Sequence, residues 1–205
     1  MSFGRKQNEN NEIVRYKAWL IAQDFSQKHV IDYEKTFVLV VNVITFRFLI
    51  GLTVSETLDI CLINIVTTYL YGSLDKHIHM KIPEGFKMPE AFYDKPRNVY
   101  SVKLRKYLYG LKQSGRMWYN PLNEYLIEKG FKNNKICPCI FTKKTTSRFA
   151  IDAVNVDGLN LVGTPKELIK ITTSLKDEFE IKDLGRTKFY LGLQIEYISN
   201  RIFFH

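Results

Sequence analysis

Cysteine is scarce in this chain, and its sequence contains no long apolar run. The cysteines are Cys61, Cys137 and Cys139, too few for a disulfide framework. Cys137 and Cys139 flank a proline without a second ligand pair at the spacing of a zinc site, so all three are predicted to be core residues. No apolar run reaches the ~18 residues that a membrane-spanning helix needs.

The sequence also lacks internal repeats, low-complexity tracts and a secretory signal. Residues 1–12 are polar and contain no apolar segment of the kind that signal peptides carry. They are predicted to form a polar tail or an exposed turn. We therefore expect an intracellular protein, in the cytoplasm or the nucleus, with no membrane partner.

The composition is that of a folded protein with a basic surface. Hydrophobic residues make up 45% of the chain and aromatic residues 14%, enough for a core and too many for wholesale disorder. The formal net charge is +9, which favours a polyanionic partner, nucleic acid before membrane. The alternative is that the excess of lysine only keeps the protein soluble.

Hydrophobic periodicity predicts a mixture of strands and helices. Strands are predicted at 13–25, 60–71 with a turn, 77–82, 99–104 and 188–197, and helices at 38–58, at the segment ending with Gly130, and from Thr164 to Phe179. Asn42 is predicted to open the first helix, Pro121 to kink or start the second, and Thr164 with Glu167 to form a capping box on the third. The mixture of hairpins and helices indicates an α+β fold.

The stretch AVNVDGLNLVG, at 153–163, predicts two strands that turn at Asp157-Gly158. Asp-Gly between apolar runs is a strong hairpin signal. A carboxylate at a hairpin tip has two interpretations, a metal ligand or a good turn former, and the pattern alone leaves both open.

Several separated stretches match one family in order. They are RYKAWLIAQDFSQ at 15–27, IDYEKTF at 31–37, LINIVTTYLYGSLD at 62–75, IPEGF at 82–86, KLRKYLYGLKQSGRMWY at 103–119, DAVNVDGLNLVG at 152–163 and FEIKDLGRTKFYLGLQI at 179–195. Together they resemble the reverse transcriptase domain of Ty1/copia-type retrotransposon polyproteins. The resemblance covers about 11–198 and predicts a polar tail at 1–12, the domain at 13–198 and a C-terminal end at 199–205.

The resemblance implies a right-hand polymerase fold made of fingers and palm, with an antiparallel palm sheet backed by helices. The thumb is expected to be largely absent, and the chain to be a fragment of a Pol polyprotein that lacks an upstream strand. The implied partners are an RNA or DNA template-primer and nucleoside triphosphates. The implied cofactor is Mg²⁺, because polymerisation in this family is a two-metal phosphoryl transfer.

Two of the family's three metal-binding aspartates are replaced here. The family has one Asp at a strand end and two in a Tyr-Val-Asp-Asp hairpin, and the matching positions are Asn64, Asp157 and Gly158. Asp157 alone keeps a carboxylate. The resemblance therefore implies an RNA-directed DNA polymerase that is degenerate and catalytically inactive. The alternatives are a weakly active polymerase and a non-catalytic nucleic-acid-binding protein derived from one.

Three other positions match the family's nucleotide-binding residues. Lys17 matches a basic residue that faces the triphosphate, while Trp19 replaces a family arginine. Tyr69 matches an aromatic residue that closes against the sugar, with a core aromatic as the alternative. Gln113 matches a glutamine that helps to hold the nucleotide, with a polar loop residue as the alternative.

Two further features bear on the predicted site and on nucleic-acid binding. Asp152, five residues before Asp157, is predicted to point to the opposite face of its strand, where an unpaired carboxylate is costly. The basic and aromatic residues of 97–119 are candidates for tracking a nucleic-acid backbone, or form a solvated basic face with rings in the core. That set is Arg97, Lys103, Arg105, Lys106, Lys112 and Arg116 with Tyr107, Tyr109 and Trp118.

Overall fold

The chain folds into helices and antiparallel sheets, in a computed structural model that describes residues 2–7, 11–34, 36, 40–74, 77–144, 149–198 and 201–204. Its strands are β1 (Ser2–Gln7), β2 (Ile13–Trp19), β3 (Asp59–Ile65), β4 (His79–Lys81), β5 (Ser101–Lys103), β6 (Lys132–Asn133), β7 (Ile140–Lys144), β8 (Phe149–Val154), β9 (Gly158–Gly163), β10 (Ile181–Arg186), β11 (Phe189–Tyr190), β12 (Leu193–Ile198) and β13 (Arg201–Phe204). Its α-helices are α1 (Val43–Ser55), α2 (Ser114–Glu128) and α3 (Pro165–Glu178). This mixture confirms the α+β prediction.

The chain divides into two compact units, and the first comprises Met1–Phe37 and Tyr69–Trp118. It contains two two-stranded sheets, β1-β2 and β4-β5. A small core holds it together, made of Ala22, Leu104, Tyr107 and Leu111 with partly buried neighbours that include Tyr69 and Met117.

The second unit comprises Val38–Thr68 and Tyr119–His205. Its six-stranded sheet has the order β10-β3-β9-β8-β7-β6, and β11, β12 and β13 form a separate three-stranded sheet. Helix α1 buries Phe46, Leu49 and Ile50 in a cluster with sheet residues that include Ile60 and Val162. Helix α3 lies on the other face of the sheet, where Glu167 pairs with Lys143 of β7 at 3.5 Å.

Helix α1 begins where its capping residue predicts. The Asn42 side chain accepts a hydrogen bond from the Thr45 N–H at 2.7 Å, which satisfies one of the donors that a helix N-terminus leaves open. The helix lies inside the predicted segment 38–58 and ends at Ser55. Val38 and Leu39 of that segment lie outside the described residues. The prediction of a helix is confirmed over the described part, but the prediction that it is buried was wrong for one face, where Ile44 and Phe48 are exposed.

Helix α2 starts before its proline, and helix α3 starts where predicted but without the predicted cap. Helix α2 begins at Ser114 and continues through Pro121, so of the two predicted alternatives, a kink or a start at the proline, the start is excluded. Helix α3 is preceded by Thr164, as predicted, but among the described residues that side chain makes no capping hydrogen bond. The Thr164 N–H instead donates to the Phe149 carbonyl at 3.3 Å, and the predicted capping box is not formed through the threonine hydroxyl.

Two chain segments are paired in ways that periodicity did not predict. Ser2–Gln7, expected to be a tail or exposed turn, forms β1 and pairs with β2. Residues 188–197, predicted as one strand, form a hairpin instead, because Leu191 and Gly192 both adopt positive φ, +50° and +80°. Two successive left-handed residues make the two-residue turn that reverses a strand.

Candidate active site

The hairpin between β8 and β9 closes on Asn155 and Gly158. The Asn155 N–H donates to the Gly158 carbonyl at 2.8 Å, and the Gly158 N–H donates back at 3.3 Å. Val156 and Asp157 therefore form the two-residue loop. The predicted turn at Asp157-Gly158 was one residue too late, because Gly158 already belongs to β9.

The three positions of the predicted metal site lie together in the second unit. Asn64, near the end of β3, is the direct partner of Gly158 across the β3–β9 pairing. Its side-chain Nδ2 donates to the Asp157 carbonyl at 3.2 Å, and the Ile65 N–H donates to the same oxygen at 2.8 Å. The fold thus places Asn64 on the strand that pairs with the hairpin of Asp157 and Gly158.

Gly158 is not required by the backbone. Its φ lies outside the left-handed region, and a Cβ built there would meet the Leu62 Cδ1 at 3.6 Å, an ordinary van der Waals contact. Leu62 and Asn64 lie on the same face of β3 because they are two residues apart. An aspartate at 158 would therefore project toward the face that carries Asn64, without strain.

The donor set of this site does not fit a pair of Mg²⁺ ions. Asp157 is exposed and supplies one carboxylate, Asn64 supplies a neutral amide, and Gly158 supplies no side-chain ligand. Lys182 of β10 lies opposite Asn64 on its other side and adds positive charge. Within the part of the chain that the structure describes, no three His, Cys, Asp or Glu side chains form a metal-binding group.

Asp152 lies on the opposite face of the sheet and cannot replace a lost ligand. It is fully buried, between Phe141 of β7 and Leu161 of β9. Neither of its carboxylate oxygens has a hydrogen-bond partner among the described residues. Burial raises its pKa to about 8. The prediction of a costly unpaired carboxylate, pointing away from the hairpin tip, is confirmed.

Gln113 lies in the first unit and is held by hydrogen bonds at both ends of its amide. Its Oε1 accepts from the Gln27 side chain at 3.1 Å, and its Nε2 donates to the Asp32 carbonyl at 3.2 Å. The Gln27 Oε1 accepts from the Lys112 N–H at 2.9 Å. The Gln113 side chain is buried and ties residues 27–32 to the start of α2. Sequence analysis missed its partners Gln27 and Asp32 because they lie more than 80 residues away in the chain.

Tyr69 and Lys17 both contact aromatic rings of the first unit. The Tyr69 ring lies 4.5 Å from that of Tyr109 and packs at the edge of the small core. The Lys17 Nζ lies 5.4 Å from the centroid of the Trp19 ring, so the residue that replaces the family's arginine contacts the neighbouring lysine. The nucleotide-binding roles of Lys17, Tyr69 and Gln113 stay predictions.

The rings in 97–119 belong largely to the core. Tyr107 and Trp118 are buried, so their rings are not open to a nucleic-acid strand. The cations Lys103, Arg105 and Lys106 are exposed. A basic face with its rings inside is the interpretation that the structure favours for this stretch.

Comparison with known proteins assigns the chain to a family. The family model described as "Reverse transcriptase (RNA-dependent DNA polymerase)" matches residues 2–204. No solved structure matches the chain significantly. Among the helices of the described residues, none is long and apolar enough to cross a bilayer.

The chain is similar to several proteins encoded by transposons. The chain is 34% identical over 195 residues to the retrovirus-related Pol polyprotein from transposon TNT 1-94 of Nicotiana tabacum. It is 32% identical over 193 residues to that from transposon RE1 of Arabidopsis thaliana. Each alignment covers 94% of this chain but only 14% and 13% of the relative. The chain is also 29% identical over 135 residues to a putative transposon Ty5-1 protein of Saccharomyces cerevisiae, covering 65% of the chain and 42% of that protein.

Proposed function

This chain belongs to the reverse transcriptase (RNA-dependent DNA polymerase) family found in retrotransposon Pol polyproteins, and from that premise we propose that it is a catalytically inactive polymerase domain. The observation that carries the proposal is the pairing of Asn64 with Gly158 beside Asp157. These are the positions where the family resemblance places three aspartates, and one carboxylate is left.

The low negative charge of the site accounts for the proposed loss of catalytic activity. Three ionised aspartates supply about −3 at neutral pH, whereas Asp157 alone supplies about −1. Mg²⁺ prefers carboxylate oxygens and gives up its water reluctantly, and the reaction requires two such ions ~3.5–4 Å apart. Lys182, opposite Asn64, lowers the attraction for cations further.

We assign the two units to the two subdomains that the resemblance implies. We assign the second unit, with its six-stranded antiparallel sheet and helices on both faces, to the palm. We assign the first unit, which holds Lys17, Tyr69 and Gln113, to the fingers. This assignment is supported by the order of the motifs along the chain and by the metal positions falling on two adjacent palm strands.

The test is template-primed nucleotide incorporation with Mg²⁺ or Mn²⁺. The parent chain is compared with an Asn64→Asp, Gly158→Asp double variant, and with Asn64→Asp, Gly158→Asn as a control of similar size and lower charge. We expect no incorporation by the parent or the control, and measurable incorporation by the double variant. Incorporation by the parent would refute the proposal. An absence of incorporation by all three proteins would mean that the defect lies in the rest of the domain and not in the metal ligands alone.

A second candidate function is binding of nucleic acid without catalysis. It is favoured by the formal net charge of +9 and by the exposed cations Lys103, Arg105 and Lys106. An RNA or DNA template-primer is the expected partner. Binding of this kind weakens steeply with salt because it releases counterions, and an absence of binding at low salt would exclude it.

A further inference from the structure

The loop that joins β4 to β5 is long and is ordered by its own side chains. It covers residues 82–100 and contains two short 3₁₀ helices, Glu90–Phe92 and Arg97–Val99. Loops beyond ~12–15 residues are uncommon in compact domains and are usually functional or disordered. The contacts inside this loop indicate that it is functional.

Arg97 and Tyr100 fix the shape of the loop. The Arg97 guanidinium donates to the Phe86 carbonyl at 3.0 Å and also to the Pro83 carbonyl. The Tyr100 hydroxyl donates to the Asp94 carboxylate at 2.6 Å. Phe92 lies edge-on to the Tyr100 ring, with centroids 5.5 Å apart. The loop is therefore preformed, and preorganisation lowers the cost of binding a ligand.

A cavity of about 450 Å³ lies within this loop. Its lining combines three aromatic rings and one methionine with three cations, and includes no carboxylate among the described residues: Phe86, Phe92, Tyr93, Met88, Lys87, Lys95 and Arg97. The rings are open to solvent, with Tyr93 66% exposed. None of these residues belongs to the metal positions or to the predicted nucleotide-binding set of Lys17, Tyr69 and Gln113.

We propose that this cavity binds a nucleotide unit of a single-stranded nucleic acid. The base stacks on the Tyr93 ring, and the flanking phosphates lie against Lys87 and Lys95. Aromatic rings beside a positively charged groove are the means by which proteins bind single strands without reading their sequence. The site is independent of the metal positions and does not require the chain to be inactive.

The test is fluorescence anisotropy of the whole chain with a labelled oligothymidylate of about 12 nucleotides, within the usual site sizes, in EDTA. Tyr93→Leu is expected to weaken binding at least about fivefold, because stacking on one ring is worth that much or more, whereas Tyr93→Phe keeps the ring and the affinity. Lys87→Gln with Lys95→Gln is expected to reduce the salt slope by about 1.4. Phe25→Leu and Lys135→Gln, an exposed ring and an exposed cation outside the cavity, serve as matched controls.

Three outcomes would overturn the proposal. They are the absence of binding by the parent chain at low salt, unchanged affinity in Tyr93→Leu, and binding to anionic phosphatidylserine vesicles through Tyr93 with no binding of the oligonucleotide. Should Tyr93→Leu fail to fold by circular dichroism, the salt slope of the lysine pair decides. Because EDTA removes divalent metal, the result does not depend on whether the chain can polymerise.

Discussion

The side-chain amide of Asn64 donates a hydrogen bond to the main-chain carbonyl of Asp157, with an Nδ2–O distance of 3.2 Å. An ionised carboxylate has no N–H to donate, so an aspartate at 64 would present its oxygens to a carbonyl oxygen instead. Asparagine at position 64 thus ties the hairpin tip to β3.

Asn64→Asp alone should therefore destabilise the chain. The lost hydrogen bond is worth about 0.5–1.5 kcal/mol, and we expect the free energy of unfolding at neutral pH to fall by about that much. Urea denaturation in EDTA measures it. Asn64→Ala loses the same bond without gaining a charge, and serves as the control. An Asn64→Asp variant as stable as the parent would show that the bond contributes nothing.

Divalent cations should stabilise the double variant and not the parent. Directly opposed residues on neighbouring strands place their Cβ atoms about 4.5–5.5 Å apart, so aspartates at 64 and 158 would share one face beside Asp157. A ligand that binds only the folded state raises the melting temperature with its concentration. We expect such a rise with Mn²⁺ for Asn64→Asp, Gly158→Asp, and little for Asn64→Asp, Gly158→Asn. An equal rise in the parent chain would mean that Asp157 suffices.

Asp152 should make the fold less stable as the pH rises. Its folded pKa is raised to about 8 by burial, above the ~3.9 of an unfolded chain, so the folded state favours the protonated acid. The stability associated with this group is fully present below about pH 4 and is lost as the pH rises toward 8. Each unit of pKa difference corresponds to about 1.4 kcal/mol, and the total cost by neutral pH is several kcal/mol.

Asp152→Leu should remove this dependence, because an apolar side chain suits the space between Phe141 and Leu161. We expect higher stability than the parent at pH 7 and a flatter profile between pH 4 and 8, measured by denaturant unfolding. Asp177→Asn, which changes an exposed carboxylate on α3, is the control and should leave the profile as it is. A parent profile that rises across this range would contradict the assignment.

The sequence predicted those elements whose signals are local. Asn42 and the apolar run after it located α1, and the Asp-Gly signal between two apolar runs located the hairpin of β8 and β9. Ser2–Gln7 carries no such signal, since its described side chains are mostly exposed. The turn at Leu191 was missed because leucine rarely adopts positive φ.

Some residues of the candidate site were likewise predictable from the sequence and others were not. Asn64, Asp157 and Gly158 were located by motif, and the fold brings them together because β3 and β9 are neighbours. The aromatic and cationic residues of the 82–100 loop follow no period, so nothing in the pattern distinguished them from an ordinary loop. The partners of Gln113 were likewise not predictable, because Gln27 and Asp32 are distant in the sequence.

Gln113 should act as the tie that holds residues 27–33 in place. Gln113→Ala removes the acceptor for Gln27 and the donor to the Asp32 carbonyl, leaving polar groups that lose their partners, at a cost of about 1–3 kcal/mol. We expect faster amide hydrogen exchange across 27–33, where local opening becomes easier. Gln113→Glu keeps the acceptor but has no N–H for Asp32 at neutral pH, so its effect should be intermediate. Gln194→Ala, which removes an exposed amide bonded to Glu196, should leave exchange at 27–33 unchanged. If Gln113→Ala also leaves exchange at 27–33 unchanged, other contacts hold this segment. The Gln113 amide would then have no structural role, and the predicted contact with a nucleotide would be the remaining explanation for it.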